Sequence, residues 1–229
     1  MYVGLGLLGM QFESAGLLAV GGRGSGDSAP VVLSVEDTSQ QFFWKRFPLD
    51  LTEKHLTLVS RIAGNVRELE RINPRSRLWR GYRSLALGLE SAYAEDRLHG
   101  FVRALDGVVK TEQRKGRKQF VRRCQLFTGK TYSNERLLNE LYQLRNAIEH
   151  LRGFESEMGE YPQTDRQELL RKRAYQAELL SRFVFTHILK SEQRTELFAD
   201  DDAVDRFWQE TEDTNSAWWG ETFDLLHDL

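Results

Sequence analysis

The chain has one cysteine, four prolines and no apolar run long enough to escape interruption by polar residues. A single thiol, Cys124, cannot build an intramolecular disulfide framework or a Cys-based zinc cluster, and it fits a reducing compartment. Net charge is small: 32 Lys and Arg against 34 Asp and Glu leave −2, so total charge does not announce a polyanionic partner. The first ten residues are apolar but carry no basic n-region, and Gln11 and Glu13 interrupt them well short of a membrane span. A cytoplasmic protein with no membrane partner is expected.

What is present is unevenly distributed. At 229 residues the chain can bury a sizeable core. Residues 1–50 are short apolar or β-branched runs (Met1 to Gln11, Gly16 to Val20, Val31 to Val35, Gln41 to Phe47) separated by Gly, Ser and Pro, which predicts a small β-rich N-terminal segment. Two glycine patterns there, Gly4 to Gly9 and Gly24 to Ala29, lack the strand before and the helix after that a dinucleotide site needs. From residue 51 the hydrophobic period becomes helical. Leu56, Val59, Ile62, Ala63, Val66 and Leu69 mark a connecting helix across 51–75, ended by Asn73-Pro74. Residues 76–229 then carry a helical domain with an acidic C-terminal tail.

Within that domain Ser76 caps a helix through Tyr93, a third helix spans Asp96 to Lys110, and a basic fourth helix is stopped by Gly129. Ser133 or Asn134 caps a fifth helix, which Gly153 follows, and Thr164 with Gln167 forms a capping box for a long helix to about Lys190. Short helices are expected around Val204 to Trp208 and Trp219 to Leu226. Trp79, Trp208, Trp218 and Trp219 read as core or tail-docking residues. Charge is polarised: Arg103, Lys110, Arg114, Lys115, Arg117, Lys118, Arg122 and Arg123 crowd one stretch, whereas acids dominate from Glu192 onward.

The fifth helix carries the chemistry. Leu141 to Arg152, LYQLRNAIEHLR, sets an arginine, an amide and a histidine on one segment, with Leu137, Leu138, Leu141, Leu144, Ile148 and Leu151 as its apolar side. At about 100° per residue Arg145 and His150 lie about 140° apart on an ideal helix, and Asn146 and His150 about 40° apart. A permanent cation beside a group that titrates near neutrality suits phosphate chemistry. Arg and His at such spacing also occur on solvated helix faces that do nothing.

Arg145-Asn146-Ala147-Ile148-Glu149-His150, preceded by Tyr142 and Leu144, resembles the signature of the HEPN family: an Arg, commonly followed by Asn, then a short spacer and a His. The flanking helical context is similar to the Apea-like branch, and the resemblance spans roughly residues 76 to 210. It implies a mainly α HEPN-like helical bundle and a metal-independent endoribonuclease that needs no cofactor, in a toxin-like or antiviral defence role. In it the RNA 2′-hydroxyl is the nucleophile, His150 the general acid or base, Arg145 the phosphate clamp and Asn146 an orienting amide. The family builds its cleft across a two-fold axis, which implies a homodimer through the motif helix.

Arg114, Lys115, Arg117, Lys118 and Arg122 are the candidate RNA-backbone contacts, with Phe120 available for stacking. Glu149 is expected as a local charge partner or a solvated residue. His55, His99, His187 and His227 have no recognisable chemical neighbours. HEPN toxins controlled by adenylylation often carry Tyr where this chain has Arg152, so that control is not expected here. Restraint by the N-terminal segment, by the acidic tail or by a regulatory partner protein stays open. The competing expectation is a non-catalytic HEPN-like module for dimerisation or RNA and nucleotide binding. A purely structural helical adaptor is weaker still.

Overall fold

Local signals explain most helix boundaries. In the computed structural model, which describes residues 52–112 and 115–226 together with Leu7 and the backbone of 17–22 and 31–37, Thr52 and Asn73 bracket α1 (Glu53–Ile72). Thr52 and His55 form the reciprocal capping pair at its start. Ser76 accepts from the Trp79 backbone N–H and opens α2 (Arg77–Glu90). Next come α3 (Ala94–Val109) and α4 (Gly116–Thr128), the latter stopped at Gly129, whose φ of +79° a side chain would resist. In the first fifty residues, strands β1 (Leu17–Gly22) and β2 (Val31–Asp37) pair antiparallel, with a register shift between Val20 and Gly21. The other apolar runs expected there lie outside the described residues.

The motif helix, α5 (Tyr132–Glu149), departs from expectation at both ends. Thr131 is its cap, accepting from the Asn134 backbone N–H; Asn134 is instead buried, its amide donating 2.7 Å to the Thr128 carbonyl. The helix stops at Glu149, so Leu151 leaves the apolar face and stands 95% exposed. The long helix α6 (Arg166–Leu189) begins without the capping box, because Thr164 Oγ1 donates to Asp165 Oδ1 instead. The tail forms α7 (Glu192–Ala199), α8 (Asp201–Gln209) and α9 (Glu212–Trp219), the last ending where a helix had been expected to begin.

Helix α3 is the hub, with Leu98, Phe101, Val102, Ala104, Leu105, Val108 and Val109 all buried. Each large apolar chain so buried contributes about 1.5–3 kcal/mol. It meets α2 almost backbone to backbone: a Cβ on Gly100 would lie 2.9 Å from Gly88 Cα, and one on Gly107 would lie 2.9 Å from Gly81 Cα. Ion pairs rivet the bundle elsewhere. Glu178 of α6 holds both Arg97 of α3 and Arg182, in a buried cluster. Arg173 of α6 reaches Glu140 of α5 at 3.0 Å. Such pairs add little net stability when intact and cost much when one partner is removed.

The tail belongs to the core. Trp219 is buried with its ring 4.5 Å from Phe127, and Phe198 packs on Phe207 at 5.6 Å. Trp79, Trp208 and Trp218 lie partly buried against the same core. Buried His187 joins α6 to the chain end, meeting Glu221 Oε1 at 2.7 Å and the Trp219 carbonyl at 2.9 Å. Among the described residues no helix is long and apolar enough to cross a membrane.

Candidate functional site

The buried residues Leu137, Leu138, Leu141, Leu144 and Ala147 fasten α5 to the bundle and aim its last turn at α3. Arg145 is drawn into this contact, its side chain only 12% exposed. Nη2 lies 3.5 Å from Asp106 Oδ2 of α3, while Nη1 donates to Asn146 Oδ1 and to Glu149 Oε2, both at 2.9 Å. The guanidinium stands 5.7 Å from the centre of the Tyr142 ring, and its Nε is buried without a protein partner. Asp106 is anchored in turn by Thr111 Oγ1 at 2.8 Å and by Arg77 at 3.9 Å. Glu149, expected as a local charge partner, is one.

His150 is the C-cap residue (φ −94°, ψ 15°) and is exposed. Its backbone N–H still donates to the Asn146 carbonyl at 3.1 Å, which keeps the two residues one helical turn apart. The chain then closes with the Arg152 N–H donating to the Ala147 carbonyl at 2.8 Å and the Leu151 N–H to Ile148 at 3.0 Å. This is a Schellman-type ending with leucine, not glycine, at the left-handed position, where φ is +53°. A side chain there costs about 1–2 kcal/mol. Strain of this kind concentrates beside functional residues.

One more histidine feels the charges of the motif. His99 of α3 is half-buried, and burial holds its pKa below the ordinary histidine value. Glu149 opposes that shift while Arg145 and Arg103 reinforce it, so His99 lies within electrostatic reach of the motif. Its neighbours come from another helix some fifty residues on, and nothing in the local sequence marks that meeting.

The basic stretch and the motif converge on Tyr142. Gly116, the first residue of α4, packs so tightly there that a Cβ would overlap the Tyr142 hydroxyl. Phe120 is fully buried 5.2 Å from the Tyr142 ring, so it belongs to the core and is not free to stack on a base. Among the candidate RNA contacts, Arg117 and Lys118 are exposed, Lys115 pairs with Glu112 at 3.1 Å, and Arg122 pairs with Glu212 at 2.9 Å. Arg114 lies outside the described residues, as does His227. Cys124 is buried in α4, and desolvation helped by the Asp106 charge pushes its thiol well up, away from a reactive thiolate. Among the described residues no three His, Cys, Asp or Glu side chains gather as metal ligands.

Comparison with protein-family models, with curated proteins and with solved structures finds no match to this chain.

Proposed function

We propose that the chain is a metal-independent endoribonuclease of the HEPN type, acting in a toxin-like or antiviral defence setting. The observation that carries this reading is the end of α5: a clamped arginine with its Asn146 partner, and an exposed histidine one residue beyond the helix. The RNA 2′-hydroxyl attacks the adjacent phosphorus and the 5′-oxygen leaves. His150 moves a proton at one of these oxygens, and Arg145 offsets charge on the phosphoryl oxygens. Glu149, more exposed than Asp106, is the carboxylate that gives way when phosphate arrives. The basic start of α4, packed on Tyr142 beside Arg145, supports an RNA track leading to the motif. Leu151, exposed and strained next to His150, supports a second copy of the chain across this face.

One observation favours the second reading, a non-catalytic HEPN-like module for dimerisation or RNA and nucleotide binding. Arg145 already has two carboxylate partners, as a purely structural arginine would. Incubating the protein with RNA in EDTA beside an Arg145→Ala/His150→Ala variant separates them. Cleavage lost in the variant supports the nuclease, and retention of uncut RNA supports the module. If the protein neither cuts nor retains RNA, the adaptor reading is left.

A further inference from the structure

A second concave site lies away from the motif, between the C-terminal half of α4 and the tail helices α8 and α9. It encloses about 320 Å³, at the lower end of ligand-sized pockets. Trp208 and Trp219 line it, and the Arg123 guanidinium lies 5.2 Å from the Trp208 ring while donating to the Val109 and Lys110 carbonyls. Arg123 is therefore part of the wall, its Nη1 already engaged by two carbonyls. In the same wall the Asn215 amide oxygen and the Trp219 indole N–H are buried without a protein partner.

The rim holds the mobile charge. Arg122 and Lys130 converge on the two oxygens of one carboxylate, Glu212. All three are substantially exposed, and ion pairs of that kind are weak and exchangeable. Opposite them, Glu210 and Asp213 also line the cavity and make no ion pair among the described residues. The three cations Arg122, Arg123 and Lys130 face the three acids Glu210, Glu212 and Asp213. That balance disfavours a bare polyanion and suits a ligand that joins an anion to hydrogen-bond donors and a flat ring.

We propose that this cavity binds a nucleoside monophosphate. The base lies against the part-exposed Trp208 ring, with buried Trp219 behind it, where stacking is tolerant of base identity. Glu210 and Asp213 accept from the ribose hydroxyls, as carboxylates do in nucleotide sites. The phosphate takes Arg122 and Lys130 in place of Glu212, exchanging a weak surface pair for charge-assisted hydrogen bonds. The site stands on residues separate from Arg145 and His150 and does not rest on the nuclease reading.

Calorimetric titration of the full chain with AMP, GMP, CMP, UMP, adenosine and inorganic phosphate tests it. At least one monophosphate should bind with a Kd below about 1 mM, with adenosine and inorganic phosphate each at least about tenfold weaker. Arg122→Ala/Lys130→Ala, at exposed positions, should weaken binding at least about tenfold. Glu212→Gln should tighten it, because the competing carboxylate is gone. Binding should persist in Arg145→Ala/His150→Ala, so loss of RNA cleavage and loss of this site are separate results. Four results overturn the proposal: no monophosphate binding with a Kd below about 1 mM, binding indifferent to the double variant, inorganic phosphate binding as tightly as a nucleotide, or binding abolished by the motif variant.

Discussion

Carboxylates fence in basic groups at two places in this molecule, and the fences differ in strength. At the end of α5, Arg145 is 12% exposed and Asp106 20%, so removing either leaves a poorly hydrated charge. At the tail, Arg122 is 70% exposed and Glu212 43%, so the pair trades almost evenly with water. The same ionic contact is therefore structural in one region and exchangeable in the other. Under the two proposals a phosphate displaces Glu212 at little cost, whereas at the motif only the more exposed Glu149 yields while Asp106 keeps Arg145 in place.

The contrast is sharpest at the most deeply buried carboxylate. Glu178→Ala removes the buried carboxylate that Arg97 and Arg182 share between α3 and α6 and should cost about 3–5 kcal/mol, read as a fall in the urea midpoint. Asp106→Ala removes the anchor of Arg145, Arg77 and Thr111 and should cost about 2–3 kcal/mol by the same measurement. A loss under about 0.5 kcal/mol would erase the distinction between the two regions.

A smaller effect follows from buried His187 and half-buried His99. Burial first, then Arg194 and Lys190, lower the pKa of His187, and burial first lowers that of His99. The unfolded chain then binds protons more readily than the folded one, so stability holds above about pH 6.5 and declines as pH falls below it. Denaturation midpoints at pH 7.5 and 5.5 check this, and a more stable protein at pH 5.5 would contradict it. The smallest effect belongs to the exposed fence: Glu212→Gln should change stability by less than about 1 kcal/mol.

Several boundaries set by neighbouring residues were legible in the sequence, though not the start of α6, where Thr164 turns to Asp165, and contacts between distant helices were not. Ser76, Asn73-Pro74 and Gly129 act within one turn of themselves, and the structure places each as expected. The start of α5 pointed to Ser133 or Asn134 as the cap, and the structure uses Thr131 instead, with Asn134 buried against the Thr128 and Gly129 carbonyls. The end of α5 misled the apolar count, since Leu151 adopts a left-handed turn that leucine rarely takes. Arg145, Asn146 and His150 were visible as a pattern. Asp106, His99 and the Gly116 contact with Tyr142 were not, because each arrives from a distant helix. The pairing of Glu212 with Arg122 and Lys130 spans more than eighty residues and left only a hint, the opposite charge of the two stretches.

The central claim, that Arg145 and His150 together cleave RNA through its own 2′-hydroxyl, is tested most directly by single-turnover cleavage in EDTA. The substrates are an RNA and the same strand carrying a single 2′-deoxynucleotide at the cut site. The account predicts that the chain cuts the RNA, spares the deoxy position, and loses at least about 100-fold in rate with His150→Ala or Arg145→Ala. Cleavage that continues undiminished in either variant, or at the deoxy position, would contradict it.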